Sequence, residues 1–487
     1  MASTFPNEQL EEQDVAEFTS SDSSECDEYA LFSPVMERIR LDRLAKYVAT
    51  TRKRIHPSDQ NIHVVEIKTP IFGSYHVLYP VKFNDEALWL LKVPANGTRE
   101  NFKGIDSRTL RSEALTMRLL RRETTIPLPD VFAFSATCDN ELDCPFILMN
   151  HMEGQSLYKV WFDRTSPKDV VQARRTRCLQ GLAAAMVQLG KFSFSQGGLL
   201  DFDDDGLPLG MDPFRLVNNA AMLERSRDGY LDGSTIYLET GPFAKPKAYY
   251  TAILDSRREP NSTIETGLVI LLRLFIDWIT EPSDGQEAFI LAHPDFEMQN
   301  VLVSEDGQLQ SIIDWDGVSA VPRTLGNEAY PSWLMRDWNP LRYGWTGDMC
   351  VWEDSPDALR FYRSLYVGFI RRHRRQDDPA CVNLTTRSLI HRNLLIAAND
   401  PPYMVNIVEK IFNAIVSLAR GGMLPQSNVS DGGGDNRQEE LNSDNSELEG
   451  FDLYNVASAL NAKQLSEGQI KILRLGFDTL LQQSSTL

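Results

Sequence analysis

The spacing of hydrophobic and polar residues changes character twice along this 487-residue chain. Over residues 36–54 apolar positions recur at Leu41, Leu44, Ala45 and Val48, which is one face of a helix. Pro57-Ser58-Asp59 ends it. The period then falls to two, and residues 63–68, 76–83 and 87–93 read as strands. Two further strands fit residues 130–135 and 146–150, joined by a turn over 138–144. Between the two groups, residues 107–122 return to helical spacing, with Leu110, Ala114, Met117 and Leu120 on one stripe and Glu113 at its flank. Beyond Gly154 the pattern is mostly helical, over 168–189, 215–227, 246–257, 265–280, 357–375, 384–399, 403–420, 453–460 and 467–481. Residues 194–209 depart from it as a polar hairpin turning at Asp203-Asp204-Asp205-Gly206, and residues 326–338 form an aromatic packing segment.

This alternation predicts an α+β chain: five strands with a leading helix over 34–154, mainly helices over 155–424, and two terminal helices within 451–487. Residues 1–33 and 425–450 are polar and low in complexity, which predicts disorder. They change how the net charge of −19 is read, because residues 1–30 and 426–450 carry fifteen of those net negative charges. The rest of the chain is close to neutral, and this balance argues against nucleic acid as a partner. The longest apolar run, residues 267–279, is interrupted by Arg273 and Asp277 and is too short to span a membrane. Six scattered cysteines without a CxxC pair fit a reducing compartment, and no targeting segment is recognisable at the N-terminus. The expected location is therefore cytoplasmic.

The chemistry concentrates between His293 and Asp314, in HPDFEMQNVLVSEDGQLQSIID. Residues 301–303 and 309–313 read as two short strands around an Asp-Gly turn at Glu305-Asp306-Gly307. Closing that hairpin brings Asn300 and Asp314 together beside Asp295. One carboxylate to take a hydroxyl proton, with an Asn and an Asp to hold Mg²⁺ against phosphates, is the equipment of phosphoryl transfer. On the third strand Leu88, Leu90 and Lys92 share a face, and a lysine on an apolar face needs an anion. Glu113 of the following helix is the candidate. Gly73 and Ser74, in a strand-to-strand turn, form a weak phosphate-loop signal. Residues 150–154 read as the connection between the lobes.

Taken together the pattern resembles the aminoglycoside phosphotransferase family, in particular its fungal branch. The resemblance is carried by FGSYHVLYPVKF at 72–83, LWLLKVP at 88–94, SEALTMRLL at 112–120, IPLP at 126–129, PFILMNHMEGQSL at 145–157, HPDFEMQNVLV at 293–303, IIDWDGVSAVP at 312–322 and AYPSWL at 329–334. It implies a bilobal protein-kinase-like fold and an ATP- and Mg²⁺-dependent kinase for a small hydroxylated molecule. Asp295 would be the catalytic base, and Asn300 and Asp314 the metal ligands. Lys92, held by Glu113, would contact the phosphates with Gly73 and Ser74, while the main chain of Asn150 and Met152 would meet adenine. His293 would brace the loop. The phosphate loop has a single glycine, fewer than protein kinases use. The metal aspartate sits in Ile313-Asp314-Trp315 rather than D-F-G, and no A-P-E follows, which disfavours a protein acceptor. A nucleotide-binding pseudokinase stays open beside the enzyme, and the acceptor and oligomeric state are not readable.

Overall fold

A computed structural model describes residues 31–58, 61–218, 237–282, 287–341, 343–346, 352–374, 384–424 and 450–483. The predicted tail 1–33 and linker 425–450 lie almost wholly outside these. The described end of the tail is packed rather than free, because Phe32 is buried against the first lobe.

The leading helix is split. α1 (Ser33–Met36) and α2 (Leu41–Ile55) lie on one face of an antiparallel sheet. The sheet comprises β1 (Val64–Ile67), β2 (Ile71–Phe72), β3 (His76–Phe83), β4 (Leu88–Pro94), β5 (Val131–Ser135) and β6 (Phe146–Asn150). Its order is β1-β3-β4-β6-β5, the five strands expected, and short β2 adds a sixth by pairing with β3. The period of two sorts each strand between two environments. Val77, Tyr79, Val81 and Phe83 of β3 and Trp89, Leu91 and Val93 of β4 pack under α2. Leu78 and Leu90 turn the other way, toward α3 (Gly104–Glu123).

The chain leaves β6 through residues 151–154 and enters β7 (Gln155–Ser156), which pairs with β14 (Val301–Val303). Gly154 makes this passage possible. Its φ is +123°, and a Cβ there would lie 3.1 Å from Leu302 Cβ and 3.2 Å from the Val303 carbonyl. The interlobe connection is thus docked on the strand that follows Asn300.

The larger lobe is built on α4 (Leu157–Trp161) and α5 (Lys168–Gln188), followed by a β-rich insertion where one hairpin and one helix were expected. β8 (Ser193–Phe194) joins the sheet of β13 (Phe289–Ala292) and β16 (Ser319–Pro322). β9 (Leu199–Phe202) and β10 (Pro208–Asp212) form the hairpin, with Asp204 and Asp205 exposed at its turn. Residues 215–217 are not helical as expected. They belong to β11 (Phe214–Val217), paired with β12 (Tyr237–Thr240), and the rest of that predicted helix, 219–227, lies outside the described residues. The remaining helices, α6 (Pro246–Asp255), α7 (Thr263–Asp277), α8 (Pro356–His373), α9 (Leu384–Asn399), α10 (Pro401–Arg420), α11 (Leu453–Ala462) and α12 (Glu467–Gln483), sit close to their expected positions. α11 and α12 are part of the main core and are no separate appendage. At the end of α8 Arg374 pairs with buried Glu328.

Candidate active site

The predicted hairpin exists. β14 pairs with β15 (Leu309–Ile312) in the register Val301↔Ile312 and Leu302↔Ser311, and the turn closes with Gly307 at φ +83°. A further bond from Ile313 N–H to the Asn300 carbonyl (2.9 Å) extends the ladder by one step, so Asp314 leaves the hairpin beside Asn300. Asn300 is buried, and its amide nitrogen donates to the Asp295 carbonyl (2.8 Å) and to Asp295 Oδ2 (3.0 Å). That turns Asn300 Oδ1 away from Asp295, and no protein donor among the described residues meets it.

His293 braces this loop as expected. Its Nδ1 accepts from Asp295 N–H (3.3 Å) and its Nε2 donates to the Ile313 carbonyl (2.9 Å), which requires the neutral ring. Burial lowers its pKa and favours that form. Trp315 closes the turn from below, fully buried, with its indole N–H on the Ile312 carbonyl (2.9 Å). Asp314 itself adopts φ +61°, a left-handed conformation that aspartate tolerates better than most residues.

From the other lobe Lys92 reaches across. Its position opposite Ile147 of β6 and Leu78 of β3 aims it at α3, where Nζ lies 2.8 Å from Glu113 Oε1. It also lies 3.1 Å from Asp314 Oδ1. Lys92 and Glu113 are 6% and 3% exposed, whereas the Asp314 side chain is 49% exposed. Burial works against the ammonium, but Glu113, Asp314 and Asp316 outweigh it and raise its pKa, so Lys92 is a fixed cation. Burial likewise opposes ionisation of Asp314, yet Lys92 and then His76 leave its pKa lowered. Substituting Lys92 or Glu113 by Ala breaks one event, and the double variant is therefore expected to lose much less than the summed single losses. A coupling of about 0.5–3 kcal/mol in nucleotide affinity is the scale for contacting residues. Isothermal titration with an ATP analogue checks it, and strictly additive losses would reject a functional pair.

The nucleotide-contact candidates are placed less decisively. Asn150 uses its N–H on the Asp130 carbonyl (3.3 Å) and its side-chain oxygen on Asp130 N–H (2.6 Å), so of its main chain only the carbonyl is left to meet a base. Met152, in the connection itself, has no main-chain hydrogen bond among the described residues. Gly73 and Ser74 are exposed in the β2–β3 turn, closed by Gly73 N–H on the His76 carbonyl (2.9 Å). A Cβ at Gly73 would meet that carbonyl at 3.5 Å, an ordinary contact. Folding alone does not require glycine there.

Four residues of the same cleft escaped the sequence reading: Arg215, Asp316, Asp106 and His76. Arg215 Nη2 lies 2.9 and 2.8 Å from the two oxygens of Asp316. Burial pushes the Asp316 pKa up, but Arg215, His76 and Lys92 outweigh it and hold that carboxylate well below its usual range. Burial, with Lys92 beside it, depresses His76 to about 4. The second acid of Asp314-Trp315-Asp316 was the available signal for Asp316. Nothing local pointed to Arg215.

A fit for Mg²⁺ follows from the donor set. Among the described residues no cluster of three or more His, Cys, Asp or Glu could hold a metal by itself. Mg²⁺ does not need one, since it commonly takes one or two protein oxygens and completes its shell with phosphate and water. Asn300 Oδ1 and a half-exposed Asp314, adjacent at the hairpin's open end, meet that requirement.

Residues 99–324 match the model of the phosphotransferase enzyme family, APH. This stretch belongs to the APH phosphotransferase family. The APH match includes Glu113, Asn150, Met152, Asp295, Asn300 and Asp314, and begins after Gly73, Ser74 and Lys92. Among curated proteins, a subtelomeric hrmA-associated cluster protein of Aspergillus fumigatus is 24% identical over 280 residues, 47% of this chain and 53% of that protein. Altered inheritance of mitochondria protein 9, mitochondrial, of Lachancea thermotolerans is 27% identical over 371 residues, 65% of this chain and 58% of that protein. The chain spans about half the length of these relatives. A type I macrolide 2′-phosphotransferase structure aligns over 75% of this chain and 95% of its own, with 10% identity and a TM-score of 0.38. The expected cytoplasmic location is overturned by these relatives, several of which are named as mitochondrial proteins.

Proposed function

We propose that this chain transfers the γ-phosphoryl group of ATP, in a Mg²⁺-dependent reaction, to a hydroxyl of a small molecule. The observation that carries the reading is the convergence of Lys92–Glu113 from one lobe with Asp314, Asn300 and Asp295 from the other. Lys92 would bind phosphate oxygens, and Asn300 and Asp314 would hold the metal. When bound, Mg²⁺ would offset the negative charge of the phosphates. Asp295, held by the Asn300 amide, would orient the acceptor hydroxyl and take its proton as the oxygen bonds to the γ-phosphorus. The bond from that phosphorus to the β,γ-bridging oxygen breaks, and ADP leaves. The main chain of Met152 and the Asn150 carbonyl would meet adenine, with the β2–β3 turn at Gly73 and Ser74 over the phosphates.

The test is ADP release across a panel of hydroxylated metabolites, with Asp295→Asn as the blank. Acceptor-dependent release by the wild type and not by the blank supports the enzyme. Mg·ATP binding with no release on any acceptor or on water favours a nucleotide-binding protein without turnover. The relatives' names make mitochondria the proposed compartment, checked by imaging a C-terminal fluorescent fusion.

A further inference from the structure

Four carboxylates, Glu113, Asp314, Asp316 and Asp106, surround two cations, Lys92 and Arg215, in this cleft. Lys92 serves Glu113 and Asp314. Arg215 serves the other two, with Nη2 on both oxygens of Asp316 and Nη1 3.8 Å from Asp106 Oδ1. Asp106 is 3% exposed, and this Oδ1 has no hydrogen-bond partner, its other oxygen being taken by Lys103 N–H (2.9 Å) at the start of α3. Arg215 is held from behind as well, its guanidinium 4.3 Å from the centre of the Tyr237 ring. That ring belongs to β12, the partner of β11, and Glu239 and Asp212 of the same insertion grip Arg108 of α3. Arg215 is therefore delivered to the cleft by a braced pair of strands, and its place does not depend on any ligand.

Asp316 lies two residues from Asp314 and lines one small cavity with Lys92, Glu113, Asp106 and Arg215. That cavity has room for about one water (about 20 Å³). A second carboxylate so close to a metal-binding aspartate would ordinarily join the metal's ligands or recruit another cation, because buried carboxylates must be compensated. Here the compensation is already present in the chain.

We propose that Arg215 is a built-in counter-cation that keeps Asp316 out of the metal-binding set and confines divalent cations to Asn300 and Asp314. This rests on the phosphotransferase reading above. Arg215 is a positioning residue, since it acts through Asp316. Removing its charge leaves Asp316 and Asp106 uncompensated in a cleft that a divalent cation can then enter.

The experiment counts Mn²⁺ bound per full-length chain, by the paramagnetic resonance of free Mn²⁺, with and without a non-hydrolysable ATP analogue. Arg215→Ala is expected to bind one Mn²⁺ more than wild type. Arg215→Lys, which keeps the charge, and Arg215→Ala/Asp316→Asn, which removes the acid, are expected to bind the wild-type number. Arg215→Gln retains most of the side chain and carries the same expectation as Arg215→Ala if the latter fails to fold. A merely structural role would lower Mn²⁺ binding in the single and double variants alike. Equal numbers in wild type and in the neutral variants overturn this inference alone, as does a gain that survives Asp316→Asn. A wild type that binds no Mn²⁺ with the analogue present overturns the phosphotransferase reading as well.

Discussion

Asp295→Asn is expected to reduce phosphoryl transfer by about 10²–10⁴-fold, the range for a lost general base, with Mg·ATP binding nearly unchanged. The geometry predicts this separation. Asp295 is exposed at the cleft surface and is tied to Asn300 through an oxygen that an asparagine also supplies, so the loop should keep its shape. What disappears is the ability to take a proton. Asp314→Asn is expected to fail differently. It removes a carboxylate from Lys92 and weakens the proposed metal ligand, so nucleotide binding and transfer should fall together. Mg·ATP titration and a phosphoryl-transfer assay on the wild type and the two variants make the comparison. Wild-type transfer by Asp295→Asn would remove Asp295 from the mechanism. Equal loss of Mg·ATP binding in both variants would show that the two aspartates do not divide the work.

The second large effect is on stability. A chain ending at residue 424 is expected to lose its cooperative unfolding transition, or to melt more than 10 °C lower. α11 and α12 bury Leu453, Val456, Leu460, Ile472, Leu473, Phe477 and Leu480 in the main core. Each such side chain is worth about 1.5–3 kcal/mol on burial, set against a total stability of roughly 5–15 kcal/mol for a typical domain. The contact is close. Gly267 of α7 has room for no side chain, because a Cβ there would lie 1.9 Å from the Ala457 carbonyl oxygen. Phe477 stacks on Phe275 with ring centres 5.0 Å apart. Phe477→Ala alone should cost about 3–5 kcal/mol, the usual range for a buried aromatic. Deletion of residues 1–30, which hold few apolar side chains, should leave the melting temperature unchanged. Circular dichroism melts of the deletions and denaturant titration of Phe477→Ala test these expectations. A 31–424 chain that melts like the full length would show that the terminal helices merely rest on the core.

Much of the site is written in short-range pattern. The hairpin that joins Asn300 to Asp314 follows from an Asp-Gly turn and a fourteen-residue spacing, and local chemistry suffices to close it. Lys92 is assigned to the α3 face by the period of two, and Glu113 by the helical stripe it flanks, because on each element one face is packed. The same alternation of periods gives the strands before Gly154 and the helices after it, and the resemblance to a known family implies the two-lobed fold that they form. By contrast, Arg215 opens a segment, RLVNNAAMLERSR, whose apolar spacing reads as helix. Of this segment only residues 215–218 are described, and pairing with β12 makes 215–217 a strand, since β ladders are stabilised by partners that local spacing does not identify. Its contacts with Asp316 and Asp106 lie 101 and 109 positions away. From the sequence come the hairpin that joins Asn300 to Asp314 and the faces that carry Lys92 and Glu113, because each is fixed by neighbours within a turn or a strand. Left to tertiary structure are the placing of Arg215 on Asp316 and the packing of the last two helices into the core, because both depend on which distant surfaces the folded chain brings into contact.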